Sequence, residues 1–208
     1  MRIRLRGGQI ILVSPRFFWE RRTPVLLQID ARKTFPPCHA STGLVLDLLV
    51  ESAQRQGFRR VLDVGCGCGV FALTAAKLGA SLALGVDLDR RAVICAGANA
   101  RANDLADATH WLQGSIDSLR TPFDCVLANL PRPVLESLWD DLVRLTVVEG
   151  RLIVSGFQDI DIHSIQDLVH SRRLRMERQL TRDRSLGEPL PGGGCTWVAM
   201  ELSKLEPT

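Results

Sequence analysis

The chain has 208 residues, enough for one domain or one domain with a small appendage. Apolar residues make up 46% and charged residues 24%, which excludes a disordered or fibrous chain. The net charge of +3 is too small to announce a nucleic-acid binder, and no apolar run approaches the ~18 residues of a membrane-spanning helix.

The amino terminus alternates basic and apolar residues from Arg2 to Arg6, turns at Gly7-Gly8 and returns from Gln9 to Val13, which predicts a short β-hairpin. The apolar run Ile10 to Val13 is too short for a secretory signal, which needs about 7–15 residues, so a cytoplasmic protein is expected. An aromatic, basic stretch from Phe17 to Arg22 is a candidate contact surface, and Val25 to Ile29 reads as a strand. A loop from Lys33 to His39 leads to Ser41 or Thr42, either of which can cap a helix with Val45, Leu48, Leu49 and Ser52 on one face, ending before Gly57.

From residue 60 the period changes. Strands are expected at 60–64, 82–86, 110–112, 123–128 and 151–155, with helices from the glycine loop to Gly79, from Arg90 to Ala102 and from Pro133. That last helix is expected to stack Val134, Leu138 and Leu142 at spacing four. Alternation of this kind means an α/β fold with a parallel sheet covered by helices on both faces. After a helix near Ile162 to Val169, the strands 174–180 and 195–202 form an antiparallel pair, unlike the outline of a nicotinamide dehydrogenase. The six cysteines, at 38, 66, 68, 95, 125 and 195, form no Cys-x-x-Cys pair and are read as free thiols, with no metal site.

The strongest motif is Asp63-Val64-Gly65-Cys66-Gly67-Cys68-Gly69, which follows a strand and opens a helix. Glycines there let the backbone approach a ligand closely. A dinucleotide fingerprint would need glycine at 70, where this chain has Val70. The acid Asp63 would repel a pyrophosphate and suits a cationic amino-acid moiety. Asp87 ends the next strand, 22 residues after Gly65, where a carboxylate can accept both hydroxyls of a ribose; Asp89 is the better helix cap. Asn129, in Leu127-Ala128-Asn129-Leu130-Pro131, ends a further strand at the edge that lines the crevice of such sheets. Together these point to S-adenosylmethionine, with Asn129 holding an amine whose lone pair faces the methyl group.

These motifs resemble class I S-adenosylmethionine-dependent methyltransferases, and more narrowly the PrmA type, which methylates amino groups of a ribosomal protein. The narrower likeness rests on His39-Ala40-Ser41-Thr42 and the Leu-rich helix after it, and it extends over roughly residues 9–202. It implies a Rossmann-like, doubly wound sheet of seven strands, mostly parallel with an antiparallel C-terminal hairpin, plus the N-terminal hairpin. Residues 1–40 would be hairpin and flap, and 41–208 the methyltransferase domain. Cofactor contacts are expected from Thr42, Asp63, Gly65, Cys66, Gly67, Gly69, Asp87, Leu88, Ser115, Ile116 and Asn129, with Asn129 also catalytic. His39 is expected as a loop residue packing over the cofactor rather than as a base.

Three departures bear on the acceptor. Phe35-Pro36-Pro37-Cys38 stands where the family has a Gly-Thr-Gly-Thr flap, and Pro131 makes Asn129-Leu130-Pro131 resemble the Asn-Pro-Pro of amide and base methyltransferases. The chain also starts at the family's linker hairpin, which suggests that the amino-terminal domain binding the ribosomal substrate is lacking. The expected activity is methyl transfer to a nitrogen, with a protein amino group favoured over RNA. RNA is the alternative, drawing on Arg172, Arg173, Arg175, Arg178, Arg182 and Arg184, which otherwise read as charges guarding an edge strand. A second alternative is a non-catalytic module that binds S-adenosylmethionine. No membrane or metal partner is expected.

Overall fold

The structure, a computed structural model, describes residues 2–6, 9–13, 26–31, 34–183 and 196–206. The strands are β1 (Arg2–Arg6), β2 (Gln9–Val13), β3 (Leu26–Ile29), β4 (Arg60–Val64), β5 (Leu82–Asp87), β6 (Thr109–Gln113), β7 (Phe123–Asn129), β8 (Thr146–Gln158), β9 (Leu174–Asp183) and β10 (Thr196–Lys204). The α-helices are α1 (Ala40–Gln56), α2 (Val70–Lys77), α3 (Arg90–Ala102), α4 (Arg132–Arg144) and α5 (Ile162–Ser171).

The expected amino-terminal hairpin forms, with Arg2 opposite Val13, and β3 adds to it as a third antiparallel strand. The main sheet has seven strands in the order β6-β5-β4-β7-β8-β10-β9. The first five are parallel, whereas β10 runs antiparallel between β8 and β9. The chain winds outward from β4 to β6, then returns to β7 on the other side of β4. That reversal opens a crevice at the carboxyl ends of β4 and β7.

Two apolar cores cover the two faces of this sheet. One gathers α1, α2 and α3 around Val45, Leu49, Leu73 and Leu127; the other gathers α4 and α5 around Trp139, Leu142, Phe157 and Ile165. The central strands are apolar on both faces because helices cover both.

Several local expectations change. Helix α1 is capped two residues before Ser41 and three before Thr42: His39 takes the cap position by accepting the Ser41 N–H on Nδ1. Helix α4 is rotated relative to the Val134-Leu138-Leu142 stripe: Leu135, Trp139 and Leu142 are buried, whereas Val134 is 41% exposed. Strand β8 is also much longer than 151–155. Between Phe123 and Cys125 of β7 the pairing jumps from Thr146 to Arg151, so the chain bulges around Glu149-Gly150 without leaving the sheet. The aromatic stretch Phe17 to Arg22 lies outside the described residues. Among those described, no helix is long and apolar enough to cross a membrane.

Strand β9 forms the sheet edge, and its arginines are held within the chain. Arg175 pairs with Glu177, Arg178 with Glu51 and Glu201, and Arg182 with Asp47, while Arg172, just before the strand, pairs with Asp140; Arg184 lies outside the described residues. Glu201, in β10, is fully buried beneath three guanidiniums. Arg55 Nη2 donates to both of its oxygens at 2.8 Å, with Arg151 at 3.5 Å and Arg178 at 3.8 Å.

Candidate cofactor and acceptor site

A cavity of about 610 Å³ opens where the parallel strands end. Its floor comes from Val64, Gly65 and Gly67 of the loop after β4, from Asp87 at the end of β5 and from Asn129 at the end of β7. Leu88, Ser115 and Ile116 line one flank. Leu130, Pro131, Val134 and Leu138 line another, and Thr34, Phe35, His39 and Trp197 close over it.

The glycine loop is shaped by backbone geometry. Gly65, Gly67 and Gly69 all have positive φ, at 70°, 52° and 81°, which side chains with a Cβ rarely adopt. Gly65 and Cys66 both donate to the Val86 carbonyl, at 2.8 and 3.0 Å, which locks the loop against β5. A Cβ at Gly67 would meet nothing within 4 Å, so the peptide there faces open cavity; a Cβ at Gly69 would lie 2.5 Å from the Trp111 ring. The fingerprint thus combines one glycine that leaves room for a ligand with another that leaves room for an indole.

Asp87 is the polar hub of the loop. Its Oδ2 accepts the Gly67 N–H at 3.0 Å and its Oδ1 accepts the Asp89 N–H at 2.9 Å. Asp89 caps α3 by accepting the Arg91 N–H, as expected. Each Asp87 oxygen keeps lone-pair capacity toward the cavity.

Asp63 sits below the loop, fully buried. Its Oδ2 accepts the Ala72 N–H in the first turn of α2, and its Oδ1 has no hydrogen-bond partner among the described residues. Burial lifts its carboxyl to about 7, reinforced by the Asp87 charge and opposed by the Ala72 N–H. The folded chain therefore keeps this proton to higher pH than the unfolded chain, so stability is expected to fall as pH rises from about 4 to about 7. Denaturant titrations across that window should show the decline in the wild type and its loss in Asp63→Asn; a wild type that gains stability there would contradict the assignment.

Asn129 lines the cavity, and its Nδ2 donates to the buried Thr42 hydroxyl at 3.4 Å. That orientation leaves Oδ1, the acceptor, for the cavity. Leu130 is packed so tightly that a Cβ on Gly156 would come within 2.3 Å of its carbonyl oxygen. His39 Nδ1 is committed to the cap of α1, and its ring lies edge-on to Phe35 at 4.8 Å and to Trp197 at 4.6 Å.

Of the residues singled out in the sequence, Gly65, Gly67, Asp87, Leu88, Ser115, Ile116 and Asn129 line one cavity. Asp63, Cys66 and Gly69 lie behind its wall, and Thr42 reaches it through Asn129. Burial pushes the Cys66 thiol well up and the Cys68 thiol up to about 12, so both are inert packing groups. The residues that were missed are apolar wall: Pro131, Val134, Leu138 and Trp197. In the sequence Val134 and Leu138 read as one stripe with Leu142, Pro131 as part of the Asn129-Leu130-Pro131 motif, and Trp197 as a residue of the terminal strand.

The fold is that of the class I methyltransferases. It superimposes on a ribosomal protein L11 methylase from Lactobacillus delbrueckii subsp. bulgaricus with a TM-score of 0.68 and 23% identity, covering 79% of this chain and 80% of that one. An O-methyltransferase from Bacillus cereus, crystallised in complex with SAH, gives 0.61 at 16% identity, covering 81% and 84%. The family model for ribosomal protein L11 methyltransferase (PrmA) matches residues 8–184, and the chain belongs to that family. A ribosomal protein L11 methyltransferase of Sorangium cellulosum is 32% identical over 191 residues, 89% of this chain and 58% of the relative. The chain spans about half to three-fifths of the length of such curated relatives.

Proposed function

We propose that the cavity binds S-adenosylmethionine and that the chain moves its methyl group to an amino nitrogen of a protein, in the cytoplasm. The observation that carries this reading is the convergence of Gly67, Asp87 and Asn129 on one cavity. Three features of the cavity fit the cofactor. The open space over Gly67 admits a ligand against the backbone, Asp87 offers ribose acceptors, and Asp63, behind the loop and holding its proton up to about pH 7, would be drawn to its charged form by a cationic amino-acid group nearby. Leu88 and Ile116 supply apolar wall for an adenine, with Ser115 beside them. Thr42, Cys66 and Gly69 act from behind, holding Asn129 and the loop in place. Residues 41–208 would form the methyltransferase domain, and 1–40 its entry hairpin and flap.

When bound, the cofactor supplies a methyl group already activated by its sulfonium. The chain itself supplies position and exclusion of water, effects that together reach about 7–11 kcal/mol. Asn129 Oδ1 accepts an N–H of the incoming amine and so aims its lone pair. An amine with a reference pKa of about 10.4 must arrive neutral, and the apolar wall of Leu130, Pro131, Val134 and Leu138 favours that form. His39, committed through Nδ1 to the helix cap, acts as wall rather than base. A protein acceptor is favoured over RNA because the arginines described on and beside β9 largely answer acids of the same chain.

Asn129→Ala tests the assignment. Methyl transfer is expected to fall about ten- to a hundredfold, the loss of one positioned hydrogen bond, with S-adenosylhomocysteine affinity within threefold of the wild type. Equal transfer rates for the two proteins would remove Asn129 from the reaction.

A further inference from the structure

Helix α3 and the residue that caps its C-terminus carry Cys95, Asn99 and Asn103 at spacing four, and all three reach β3 or the residue that follows it. Asn103 Oδ1 accepts the Gln28 N–H at 2.8 Å, and its Nδ2 donates to the Gln28 carbonyl at 2.8 Å. Asn99 repeats this pattern on Asp30, at 2.9 and 3.0 Å, and the Cys95 thiol donates to the same Asp30 carbonyl. Gln28 and Asp30 are two residues apart, so their peptide groups point to one edge of the strand, while β2 pairs along the other. Four residues of helix rise ~6 Å and two residues of strand ~6.6–6.8 Å. The two amides therefore present donor and acceptor at close to the spacing of a neighbouring strand. They grip backbone, whatever side chains the strand carries.

Asn99 does one thing more. The second N–H of its Nδ2 donates to the Cys68 carbonyl at 2.9 Å, inside the glycine loop. Asn99 is 3% exposed, so water does not offer a substitute for these bonds. Its amide is planar: a shift of the loop at Cys68 tilts the oxygen that holds Asp30. Thr34 and Phe35, which line the cavity, come four and five residues after Asp30.

We propose that Asn99 is a positioning residue that couples the glycine loop to the strand feeding the Thr34–Phe35 wall, so that filling the cofactor part of the cavity tightens that wall. This rests on the cofactor reading above. The sequence shows Asn99 only as a polar residue on a helix; the link to two separate backbone segments comes from the fold.

The test combines amide hydrogen exchange with calorimetry on the whole chain, using S-adenosylhomocysteine as the probe. Saturating probe is expected to slow exchange of the Asp30 N–H at least fivefold in the wild type. In Asn99→Ala the dissociation constant rises at least fivefold and the slowing at Asp30 is lost. Asn103→Ala, which touches the strand but not the loop, speeds exchange at Gln28 and leaves the dissociation constant within twofold. A wild type that binds the probe with unchanged Asp30 exchange overturns the inference, even if Asn99→Ala fails to fold. Equal losses of affinity in the two variants also overturn it, because that is the signature of a strand latch with no link to the loop. A wild type that gives no binding heat and no protection at Gly67 instead overturns the cofactor reading, and this inference with it.

Discussion

Asp87→Ala is expected to weaken S-adenosylhomocysteine binding at least a hundredfold, about 2.7 kcal/mol, while the chain still folds cooperatively. Two losses combine. The variant removes a carboxylate placed to accept ribose hydroxyls, and charge-assisted bonds of that kind contribute ~1.5–3 kcal/mol each. It also frees the Gly67 and Asp89 N–H groups that Asp87 now holds at 3.0 and 2.9 Å. The second loss lowers the stability of the free protein too, by about 1–3 kcal/mol in all, because both groups are only part-buried and water can replace some of what is lost. Calorimetry measures the first effect and urea denaturation the second. Unchanged affinity would take Asp87 out of the site. Unfolding of the free protein would make it a structural residue first.

Glu201→Ala is expected to cost about 3–5 kcal/mol of folding stability, a large part of the roughly 5–15 kcal/mol of a typical domain. Glu201 is fully buried and faces Arg55, Arg151 and Arg178, while Glu51 answers only Arg178. Removing the central carboxylate leaves three guanidiniums close together, two of them mostly buried, with one acid nearby. The penalty comes from those uncompensated charges rather than from the lost pair itself. For a chain of this size the melting temperature should drop roughly 6–20 °C. Glu201→Gln keeps the acceptor oxygen and should fall between the two. The exposed Asp89–Arg91 pair offers a control through Arg91→Ala, which leaves the Asp89 cap of α3 in place and should scarcely move the melting temperature. A melting point unmoved by Glu201→Ala would mean that the cluster is hydrated and its charges screened.

The parts of the site that were legible in the sequence are those fixed by local backbone chemistry. Glycines at 65, 67 and 69 after an apolar strand can be read without knowing what surrounds them, because positive φ is a property of the residue itself. Asp87 and Asn129 were legible because strands of a parallel sheet end on the same side, so two residues far apart in sequence fall on one crevice. What was not legible depends on which face a helix turns inward. Helix α4 is apolar on two sides: Leu135, Trp139 and Leu142 face the core, while Val134 and Leu138 face the cavity. Periodicity alone gave no ground for choosing between them, and the spacing-four stripe mixed the two. The cap of α1 was misplaced because Ser41 and Thr42 are better caps by residue type than His39. The turn at Pro36 to Cys38 places His39 at the cap position, and the imidazole nitrogen takes the Ser41 N–H. Asn99 and Asn103 carry no signal of their own in the sequence, because their partners are backbone groups some 70 positions away.

The most direct test of the central claim is transfer of labelled methyl from S-adenosylmethionine to a bacterial ribosome fraction, followed by separate ribonuclease and protease digestion. The account predicts label in a protein band, resistant to ribonuclease, released as a methylated amine on acid hydrolysis and much reduced with Asn129→Ala. Label confined to RNA, or none from a chain that binds S-adenosylhomocysteine, would contradict it.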